Sequence, residues 1–374
     1  MNFIISSQVL QKALQSINQL VGTNSLVPIV ENFLFESDGN VLKVTATDTE
    51  TRATVTLFPN HISGEGKVAV PPKILLETLK NLPDLPVTFT FDLENYVGEL
   101  NAGSGIYKMS LFNADNYPTF AELENPHQFI INSQLLAKAI SRTLPAVGYD
   151  EMRPQMNGVF FEISSEYSNF VSTDSHKLIR YRRLDVKADE FFSFILQKKP
   201  LPLLKNLLSQ YDTEVQVRFN ETNVSFSFDK YFVSCRLIEG RYPAYENIIP
   251  QDNPYRLVVH RESLISALKR VSIFANQALP EVVFNINGQK LVLAAEDFDF
   301  SNSAKEHLDC SYEGDDFRIG FNAKFLLDLL NNMESEHVLM SFSAPNRAVL
   351  IRPEESSDEK EELLMLIMPI TLRS

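Results

Sequence analysis

Along the chain, an alternating pattern of hydrophobic and polar residues is followed by a helical pattern, and this sequence of two patterns recurs. Residues Phe3–Ser6 alternate with a period of two, which predicts a short strand. Leu10, Leu14 and Ile17 follow at helical spacing, which predicts an amphipathic helix directly after that strand. A second pattern of the same kind includes Leu136 and lies about one third of the chain further on. These patterns predict at least two similar segments.

The rest of the first segment is rich in strand patterns, with one further helix. Asp38-Gly39-Asn40 is a turn signal between two predicted strands, and a proline begins the predicted second helix, as helix starts allow. The predicted strands are Asn32–Glu36, Val41–Thr47, Thr51–Leu57, Val87–Phe91, Tyr96–Asn101 and Tyr107–Phe112, and the helix is Pro72–Leu82. Two helices on a sheet predict an α+β domain.

Four sequence motifs repeat in the same order. The strand-helix motif begins at Asn2, Gln128 and Arg256, and the second-helix motif begins at Val68, Phe194 and Ile319. Shorter echoes are Thr45–Asp48 with Val171–Asp174, and Asn116–Pro118 with Arg241–Pro243 and Met368-Pro369. A repeat of this length is a whole domain, because solenoid repeats have only about 20–50 residues. We therefore predict three domains, residues 1–125, 126–253 and 254–374.

Cysteine usage and the start of the chain bear on the compartment. The two cysteines, Cys235 and Cys310, lie far apart without a C-x-x-C motif, which favours a reducing compartment and argues against a zinc site. The first residues show neither a basic region nor a long apolar run, so we expect no signal peptide and no membrane span. The expected location is the cytoplasm, with no cofactor and no metal.

The net charge of −14 is unusual for a protein that binds nucleic acid. Surface fields fade over roughly 8 Å at physiological salt, so the local lining of a surface matters more than the total. Much acidic charge lies in 353–362, which is predicted to be a solvated hairpin loop. Basic residues recur on the predicted helices of all three domains, where they either keep the protein soluble or face one polyanion through phosphate contacts. These DNA-facing candidates are Lys12, Lys73, Lys80, Lys138, Arg142, Lys198, Lys199, Lys205, Lys269, Arg270 and Lys324.

The number of helices limits what such a surface could surround. Six helices about 10 Å apart would close a circle with a bore of only about 9 Å, too narrow for a duplex. Twelve helices leave roughly 28 Å by the same reckoning, which admits a duplex with water. A ring that encloses a duplex therefore needs two chains, joined head to tail with two-fold symmetry.

Several motifs together resemble one known family. Thr173–Leu178, Leu237–Tyr245, Met156–Glu162, Ile319–Asn322 and Ile367–Ile370 are similar to the bacterial DNA polymerase III β subunits, the sliding clamps, and the resemblance covers the whole chain. It implies a DNA clamp fold in which two chains close a six-domain ring around duplex DNA. It also implies a protein without catalytic residues that tethers the replicative polymerase and is opened by a clamp loader.

The resemblance implies a cleft between the second and third domains that binds short hydrophobic motifs of the polymerase, the loader and repair proteins. Apolar side chains suit such a slot, and methionine adapts to many partners. The matching residues are Met156, Thr173, Ser175, His176, Lys177, Leu178, Pro243, Asn247, Ile248, Leu279, Asn322, Phe325, Asn346, Leu366, Met368, Pro369 and Ile370.

The resemblance also implies the subunit contact, which maps to Tyr107 and Met109 on one chain and to Ile273 and Phe274 on the other. An open edge strand invites pairing with another chain. Four positions depart from the family pattern. Asn24 and Asp150 stand in loops where DNA-touching basic or amide residues are common, Ser175 replaces a frequent glycine, and Thr371 replaces a common arginine.

Two other classes of function stay open at this point. A hydrolase could use Asp174 and His176, but the chain has no G-x-S-x-G, H-E-x-x-H, Walker A or G-x-G-x-x-G motif. A monomeric scaffold could bind peptides through its β domains without any nucleic acid. The recurrent basic residues on the helices argue against the scaffold, and the oligomeric state would separate it from a clamp.

Overall fold

The computed structural model describes residues 1–22, 26–120, 123–356 and 358–372, so the departure at Asn24 lies outside the described residues. The chain divides into two compact units, Met1–Ala137 with Lys199–Leu237, and Lys138–Lys198 with Ile238–Ser374. The units therefore divide the central repeat between them. The three predicted domain boundaries stay a prediction, since the units follow sheets that run from one repeat into the next.

The described residues form six α-helices and 26 strands, and each repeat has a strand, a helix, several strands, a second helix and three strands, with four strands between the helices in the second repeat and five in the other two. The first repeat contains β1 (Asn2–Ser6), α1 (Ser7–Ile17), β2 (Phe33–Asp38), β3 (Val41–Thr47), β4 (Thr51–Leu57), β5 (His61–Ser63), β6 (Gly66–Val70), α2 (Pro72–Lys80), β7 (Pro86–Asp92), β8 (Val97–Ala102) and β9 (Gly105–Ser110). The second contains β10 (His127–Asn132), α3 (Ser133–Thr143), β11 (Gly158–Ile163), β12 (Ser168–Thr173), β13 (Lys177–Arg183), β14 (Phe192–Gln197), α4 (Leu201–Leu208), β15 (Glu214–Phe219), β16 (Asn223–Phe228) and β17 (Tyr231–Arg236). The third contains β18 (Tyr255–His260), α5 (Arg261–Val271), β19 (Glu281–Asn287), β20 (Lys290–Asp297), β21 (Asn302–Asp309), β22 (Ser311–Glu313), β23 (Phe317–Asn322), α6 (Ala323–Leu330), β24 (His337–Phe342), β25 (Val349–Pro353) and β26 (Glu361–Ile367).

Local sequence explains where the helices begin and end. Ser6 caps α1 by accepting a hydrogen bond from the backbone N–H of Val9. The apolar stripe of α1 is buried, with Leu10 and Leu14 fully covered. The α2 helix has a proline at its first position and ends at Lys80, two residues before the prediction, because Asn81 closes it with a tighter turn.

The first unit contains two sheets, of five strands (β5-β1-β7-β8-β9) and eight strands (β10-β15-β16-β17-β4-β3-β2-β6). In the five-stranded sheet, the ring of Phe3 stacks on that of Phe89 at 4.9 Å, in a core of aromatic side chains. The eight-stranded sheet joins the first repeat to the second, because β4 and β17 pair antiparallel with Thr51 opposite Cys235. This pair is the first joint.

The second unit contains sheets of four strands (β21-β20-β19-β23) and nine strands (β14-β11-β12-β13-β26-β25-β24-β18-β22). The nine-stranded sheet joins the second repeat to the third through β13 and β26, from Lys177 opposite Ile367 to Arg183 opposite Glu361. This pair is the second joint. The α+β fold with three repeated units of two helices on sheets, predicted from the sequence, is confirmed.

The predicted acidic loop 353–362 is shorter in the structure. Strand β26 already begins at Glu361, so two of the acidic residues lie in the second joint, where β13 offers arginines. Arg183 lies 2.5 Å from Asp358 and 3.6 Å from Glu361, and Glu362 lies within 4 Å of two further arginines, Arg180 and Arg182. The acidic segment therefore binds the basic face of the neighbouring repeat.

The turns that precede β4 and β13 have the same hydrogen bonds. Asp48 accepts the backbone N–H groups of Glu50 and Thr51 just as Asp174 accepts those of His176 and Lys177. Thr49 and Ser175 then adopt positive φ angles of 78° and 75°. This equivalence shows in the backbone that the first and second repeats share the turn that their sequence motifs indicate.

Candidate functional site

The turn between β12 and β13 presents His176 on the surface and buries the next residue. Ser175 stands at a φ of 75°, which explains why glycine suits this position, since an L side chain there costs about 1–2 kcal/mol. The N–H of Ser175 donates to Thr173 Oγ1 at 3.2 Å, which helps to hold the turn. The His176 side chain is exposed, whereas only 7% of the Lys177 side chain is.

Phe325, in the first turn of α6, lies between these two neighbours. The His176 ring stacks on the Phe325 ring with centroids 5.6 Å apart, and Lys177 Nζ lies 4.4 Å from the same centroid. The ammonium is held 2.9 Å from Asp174 Oδ2 and 3.9 Å from Asp328 Oδ2. The Lys177 ammonium, fixed by two carboxylates, therefore holds the Phe325 ring in place. The sequence did not indicate this network, because Asp328 and Phe325 are far from Lys177 in the chain.

The segment after β26 runs beside this turn. The carbonyl of His176 accepts the N–H of Met368 at 2.8 Å, and the carbonyl of Gly320 accepts that of Ile370 at the same distance. Met368 is 41% exposed, so it offers a flexible apolar surface on the segment whose backbone is bonded to His176. Asn322 accepts the N–H groups of Lys324 and Phe325, so its side chain caps α6.

The remaining predicted cleft residues lie beside a buried apolar cluster or beside α6 and β26. Asn247 and Ile248 lie on a short 3-10 helix that begins at Tyr245, and Tyr245 packs in one cluster with Leu178 and Leu366. Pro243 is exposed and follows Tyr242 of that cluster, and Asn346 is exposed in the β24–β25 turn, two residues before Ala348 of the cluster. Leu279 is 47% exposed. Its neighbour Pro280 accepts the backbone N–H of Ala323, the first residue of α6, at 2.8 Å. Pro369 and Ile370 are half-buried.

Part of the predicted apolar wall is not on the surface. Leu178 and Leu366 lie opposite each other in the second joint and are 0% and 2% exposed, because their side chains fill the core of the nine-stranded sheet. Met156 and Thr173 are also buried. The prediction that Thr173, Leu178 and Leu366 line the slot as exposed side chains is therefore corrected, whereas Met156 lines a pocket beside the turn although little of it is exposed. The exposed apolar surface comes from Ile248, Leu279 and Met368 instead.

A surface pocket of about 470 Å³ adjoins the turn and was not predicted as a whole. His176 and Met156 line one side, and the loop from Gly148 to Arg153 lines the other. In that loop, the guanidinium of Arg153 lies 2.7 Å from Asp150 and holds the pKa of this carboxyl below its ordinary value. Asp150 is thus neutralised by a neighbour rather than exposed as an isolated negative charge.

The predicted DNA-facing residues fall into two groups. Lys12, Lys73, Lys80, Lys198, Lys269 and Lys324 are exposed, and Lys205 is half-buried. Four others are paired: Lys138 with Glu361, Lys199 with Asp48, Arg270 with Glu306 and Arg142 with Glu334.

The prediction that Arg142 faces DNA is corrected by its surroundings. Its side chain is only 9% exposed, and it donates to the carbonyl of Asn332, whose amide donates back to the Arg142 carbonyl. A guanidinium used in this way is not available to a phosphate. Lys198 and Lys199 also differ from the prediction, because α4 begins only at Leu201 and both precede it.

One half of the predicted subunit contact, Tyr107 and Met109, lies on an edge strand, and the other half, Ile273 and Phe274, lies in a short 3-10 helix. Strand β9 is an edge of the five-stranded sheet, where Tyr107 is 39% exposed, and β21 is an edge of the four-stranded sheet. Ile273 and Phe274, in a short 3-10 helix after α5, are 77% and 41% exposed. The prediction that the Met109 side chain takes part in the subunit contact is corrected. This side chain is 6% exposed and packs inside its own unit, so only the backbone of Met109 can reach a second chain.

The geometry argues against catalysis by Asp174 and His176. The carboxylate accepts the backbone N–H of His176, while the imidazole stacks on Phe325, so the two side chains do not form an acid-base pair. In the described ranges, no group of three His, Cys, Asp or Glu side chains could hold a metal ion. Nor is any helix in these ranges long and apolar enough to cross a membrane.

Repeated α+β units joined by sheets that run between repeats, with a sheet edge open in the first repeat and another in the third, define a clamp-type protein. Family models match in order along the chain: the DNA polymerase III beta subunit N-terminal domain at 1–121, central domain at 130–244 and C-terminal domain at 246–370. The chain belongs to the family of DNA polymerase III beta subunits, the beta sliding clamps, which are non-catalytic processivity factors.

Individual relatives agree over their full length. The beta sliding clamp of Vibrio cholerae is 28% identical over 373 residues, with 100% of both chains covered, and that of Bacillus subtilis is 25% identical with 99% of both covered. The crystal structure of the Thermotoga maritima beta subunit matches with a TM-score of 0.91 at 26% identity, and one from Pseudomonas aeruginosa with 0.93 at 25%, each over 100% of both chains. The hydrolase and the DNA-free scaffold are not supported.

Proposed function

We propose that two copies of this chain close head to tail into a ring that encircles duplex DNA in the cytoplasm. The ring tethers the replicative polymerase and slides with it, so that processivity comes from topology rather than from tight binding. A clamp loader opens the ring, and repair proteins share the same docking cleft. No nucleotide or metal is consumed by the chain itself.

The observation that carries this proposal is the pattern of paired and unpaired edges. Inside the chain, β4 pairs with β17 and β13 pairs with β26, so each joint matches a strand of one repeat with the last strand of the next. Among the residues that the structure describes, the corresponding strands β21 and β9 each pair with a neighbour on one side only. An unsatisfied edge at both ends of a repeated series is completed by a second copy, and two-fold symmetry closes the series.

The cleft proposal rests on the combination around His176. Exposed apolar side chains at Ile248, Leu279 and Met368 suit a short hydrophobic peptide, and the imidazole and nearby backbone groups can orient it. The cation-held ring of Phe325 gives the cleft one rigid wall, while methionine gives it an adaptable one. These properties fit one site that serves several partners.

The proposed DNA contact uses the exposed lysines of the helices without base recognition. Phosphate contacts are insensitive to sequence and weaken steeply with salt, which permits sliding. A total charge of −14 is compatible with such a surface because each contact depends on charges within roughly 8 Å.

Retention on closed DNA is the decisive experiment. The protein is loaded on nicked circular duplex, the circle is then cut at one site, and protein retention is measured before and after, with solution mass determined in parallel. We expect a dimer that stays on circles and is lost from linear DNA. Equal loss from both, or a monomer at micromolar concentration, would overturn the ring.

A further inference from the structure

The first helix of each repeat starts from an equivalent junction. The first residue of α1, α3 and α5 donates its backbone N–H to the carbonyl of the residue just before the strand that follows the second helix. These hydrogen bonds run from Ser7 to Leu85 at 2.9 Å, from Ser133 to Thr213 at 2.8 Å and from Arg261 to Glu336 at 2.9 Å. The three junctions therefore correspond position by position, and their side chains can be compared directly.

The residue before the helix caps it, and in the first two repeats the capping atom is an oxygen. Ser6 accepts the backbone N–H of Val9, and Asn132 accepts those of Gln134 and Leu135. Hydroxyl and amide oxygens keep their lone pairs across the physiological pH range, since neither group titrates there. These two caps are therefore independent of pH.

His260 caps α5 with a ring nitrogen instead. Its Nδ1 accepts the backbone N–H of Ser263 at 3.2 Å and lies 2.8 Å from the hydroxyl of the same residue. Accepting an N–H requires the lone pair of Nδ1, so this cap needs a neutral imidazole whose proton is on Nε2. Histidine is the side chain that changes its charge between about pH 5 and 8. A proton on Nδ1 takes the lone pair, so protonation and this cap exclude each other.

The third junction also lacks a carboxylate that the other two contain. The hydroxyl of Ser6 donates to Asp84 at 2.7 Å, and the amide of Asn132 donates to Asp212 at 2.8 Å. Both aspartates stand two residues before the next strand, and the third repeat has Ser335 at this position. A protonated cap in the third repeat would therefore find no carboxylate at the place where the other caps have one.

Two further side chains add positive charge to the third junction. His337 lies opposite His260 across β18 and β24, with ring centroids 5.6 Å apart. Arg261 lies next to the cap, and its Nε donates to the carbonyl of Ser335 at 2.8 Å. Protonation of both histidines would thus place three positive charges at the N-terminus of α5, where the helix dipole is itself positive.

The surrounding elements contain carboxylates that offset part of this charge. They are Glu262 in the first turn of α5, Glu336 before β24 and Glu354 after β25, and β25 also contains Arg352. The three carboxylate side chains are exposed. Glu262 already binds Arg261 at 3.1 Å, and the backbone N–H of Glu354 donates to the carbonyl of His337 at 3.1 Å. Exposed charges attract each other weakly, so the repulsion among the cations is only partly compensated.

We propose that this junction is a pH-sensitive switch, in which protonation of His260 releases the cap and loosens the start of α5 in mildly acidic solution. The inference goes beyond the proposed function, because neither the ring nor the docking cleft requires it. Helix α5 packs against β20 and β21 and leads into the 3-10 helix that contains Ile273 and Phe274. The switch therefore acts on an element of the predicted subunit contact, while the first two repeats keep their helix starts unchanged.

Hydrogen exchange of the full-length protein tests the switch at about pH 7.5 and about pH 5.5, with each rate corrected for the intrinsic pH dependence of exchange. The first turns of α1 and α3 are internal controls for the first turn of α5. Loss of a cap together with an unfavourable charge should lower the protection of α5 about 5- to 20-fold in acid. We expect α1 and α3 to change little. An equal fall in all three helices, or no fall in α5, would overturn the proposal.

Three variants assign the effect to the cap. His260→Asn supplies the cap residue of the second repeat and should keep α5 protected at both pH values. Ser335→Asp supplies the carboxylate of the other junctions and should reduce the fall, because it attracts the protonated imidazole. His61→Asn, which removes an exposed histidine on β5, is the matched control and should leave the fall unchanged. A fall that persists in His260→Asn would refute the cap as its cause.

Discussion

Arg183 binds the second and third repeats together at the end of the second joint. Its side chain is only 3% exposed, and its guanidinium makes two hydrogen bonds to Asp185, at 2.8 and 2.6 Å. It also lies 2.5 Å from Asp358 and 3.6 Å from Glu361, which is 11% exposed. We predict that Arg183→Met destabilises the second unit strongly, because it leaves several carboxylates without their shared cation.

The magnitude follows from burial. Removing one partner of a buried ion pair costs about 3–5 kcal/mol, and the lower end applies here because Asp185 and Asp358 are 28% and 37% exposed and can recover hydration. We expect a loss of about 3 kcal/mol. Lys43→Met is the matched control, since the Lys43–Asp38 pair is 41% and 73% exposed and exposed pairs contribute about 0–1 kcal/mol.

Native-state hydrogen exchange on β13 and β26 measures this loss locally, which avoids treating a chain of several units as two-state. The opening free energy of the β13 and β26 amides should fall in Arg183→Met, whereas in Lys43→Met the opening free energy of the amides around its own ion pair, in β2 and β3, should stay unchanged. If both variants lower it by the same amount, the reasoning from burial is wrong.

The same joint has a pH dependence of known sign. Hydrogen bonds from Arg183 lower the pKa of Asp185 and of Asp358 in the folded chain. Groups with a depressed folded pKa stabilise the fold above the unfolded value, near 3.9, and this stabilisation disappears as the pH falls through the folded value. The wild-type joint should therefore weaken below about pH 4, and Arg183→Met should lose less over that range.

Three further predictions concern the cleft and the helices. Lys177→Met should free the Phe325 ring and weaken the binding of a hydrophobic clamp-binding peptide about 3- to 10-fold, because a cation-π contact of about 0.5–1 kcal/mol and some rigidity of the ring are lost. Lys177→Arg should recover the affinity. Calorimetry measures the peptide affinity of each variant, and an unchanged affinity in Lys177→Met would contradict a positioning role. Met368→Asp should reduce peptide affinity at least about tenfold without changing the dimer mass, because it places a charge on the apolar surface; retained affinity would move the cleft elsewhere. Lys12→Glu with Lys80→Glu should reduce loading on DNA and the salt dependence of binding; unchanged loading would contradict their place on the DNA surface.

Much of the fold could be predicted because the patterns are local. The limits of the strand Val41–Thr47 were correct, since its alternation and the neighbouring turn signal are both contained in a short segment. The apolar stripe beginning at Leu10 gave the first helix in the same way. The predicted end of the acidic loop 353–362 was wrong, because Glu361 already belongs to β26, and that strand forms by pairing with β13, which is far away in sequence.

Side-chain roles were harder to predict because they depend on distant partners. Arg142 occupies a helical position typical of an exposed cation, but its side chain is only 9% exposed and bonds Asn332 and Glu334 of the third repeat. Leu178 has the residue type of a binding slot and is core instead, which no local pattern can decide. Motif matching found the turn at His176, yet the cation that holds Phe325 became visible only with the fold.

The two internal joints have a mechanical consequence. Seven residue pairs connect β13 to β26, whereas five connect β4 to β17. A force along the strands loads all these hydrogen bonds at once, but a force across the sheet peels them one after another from an end. Pulling such a joint apart across the sheet therefore needs a lower peak force than sliding its strands, although the same hydrogen bonds break, and the joint with five pairs is fully open after fewer steps.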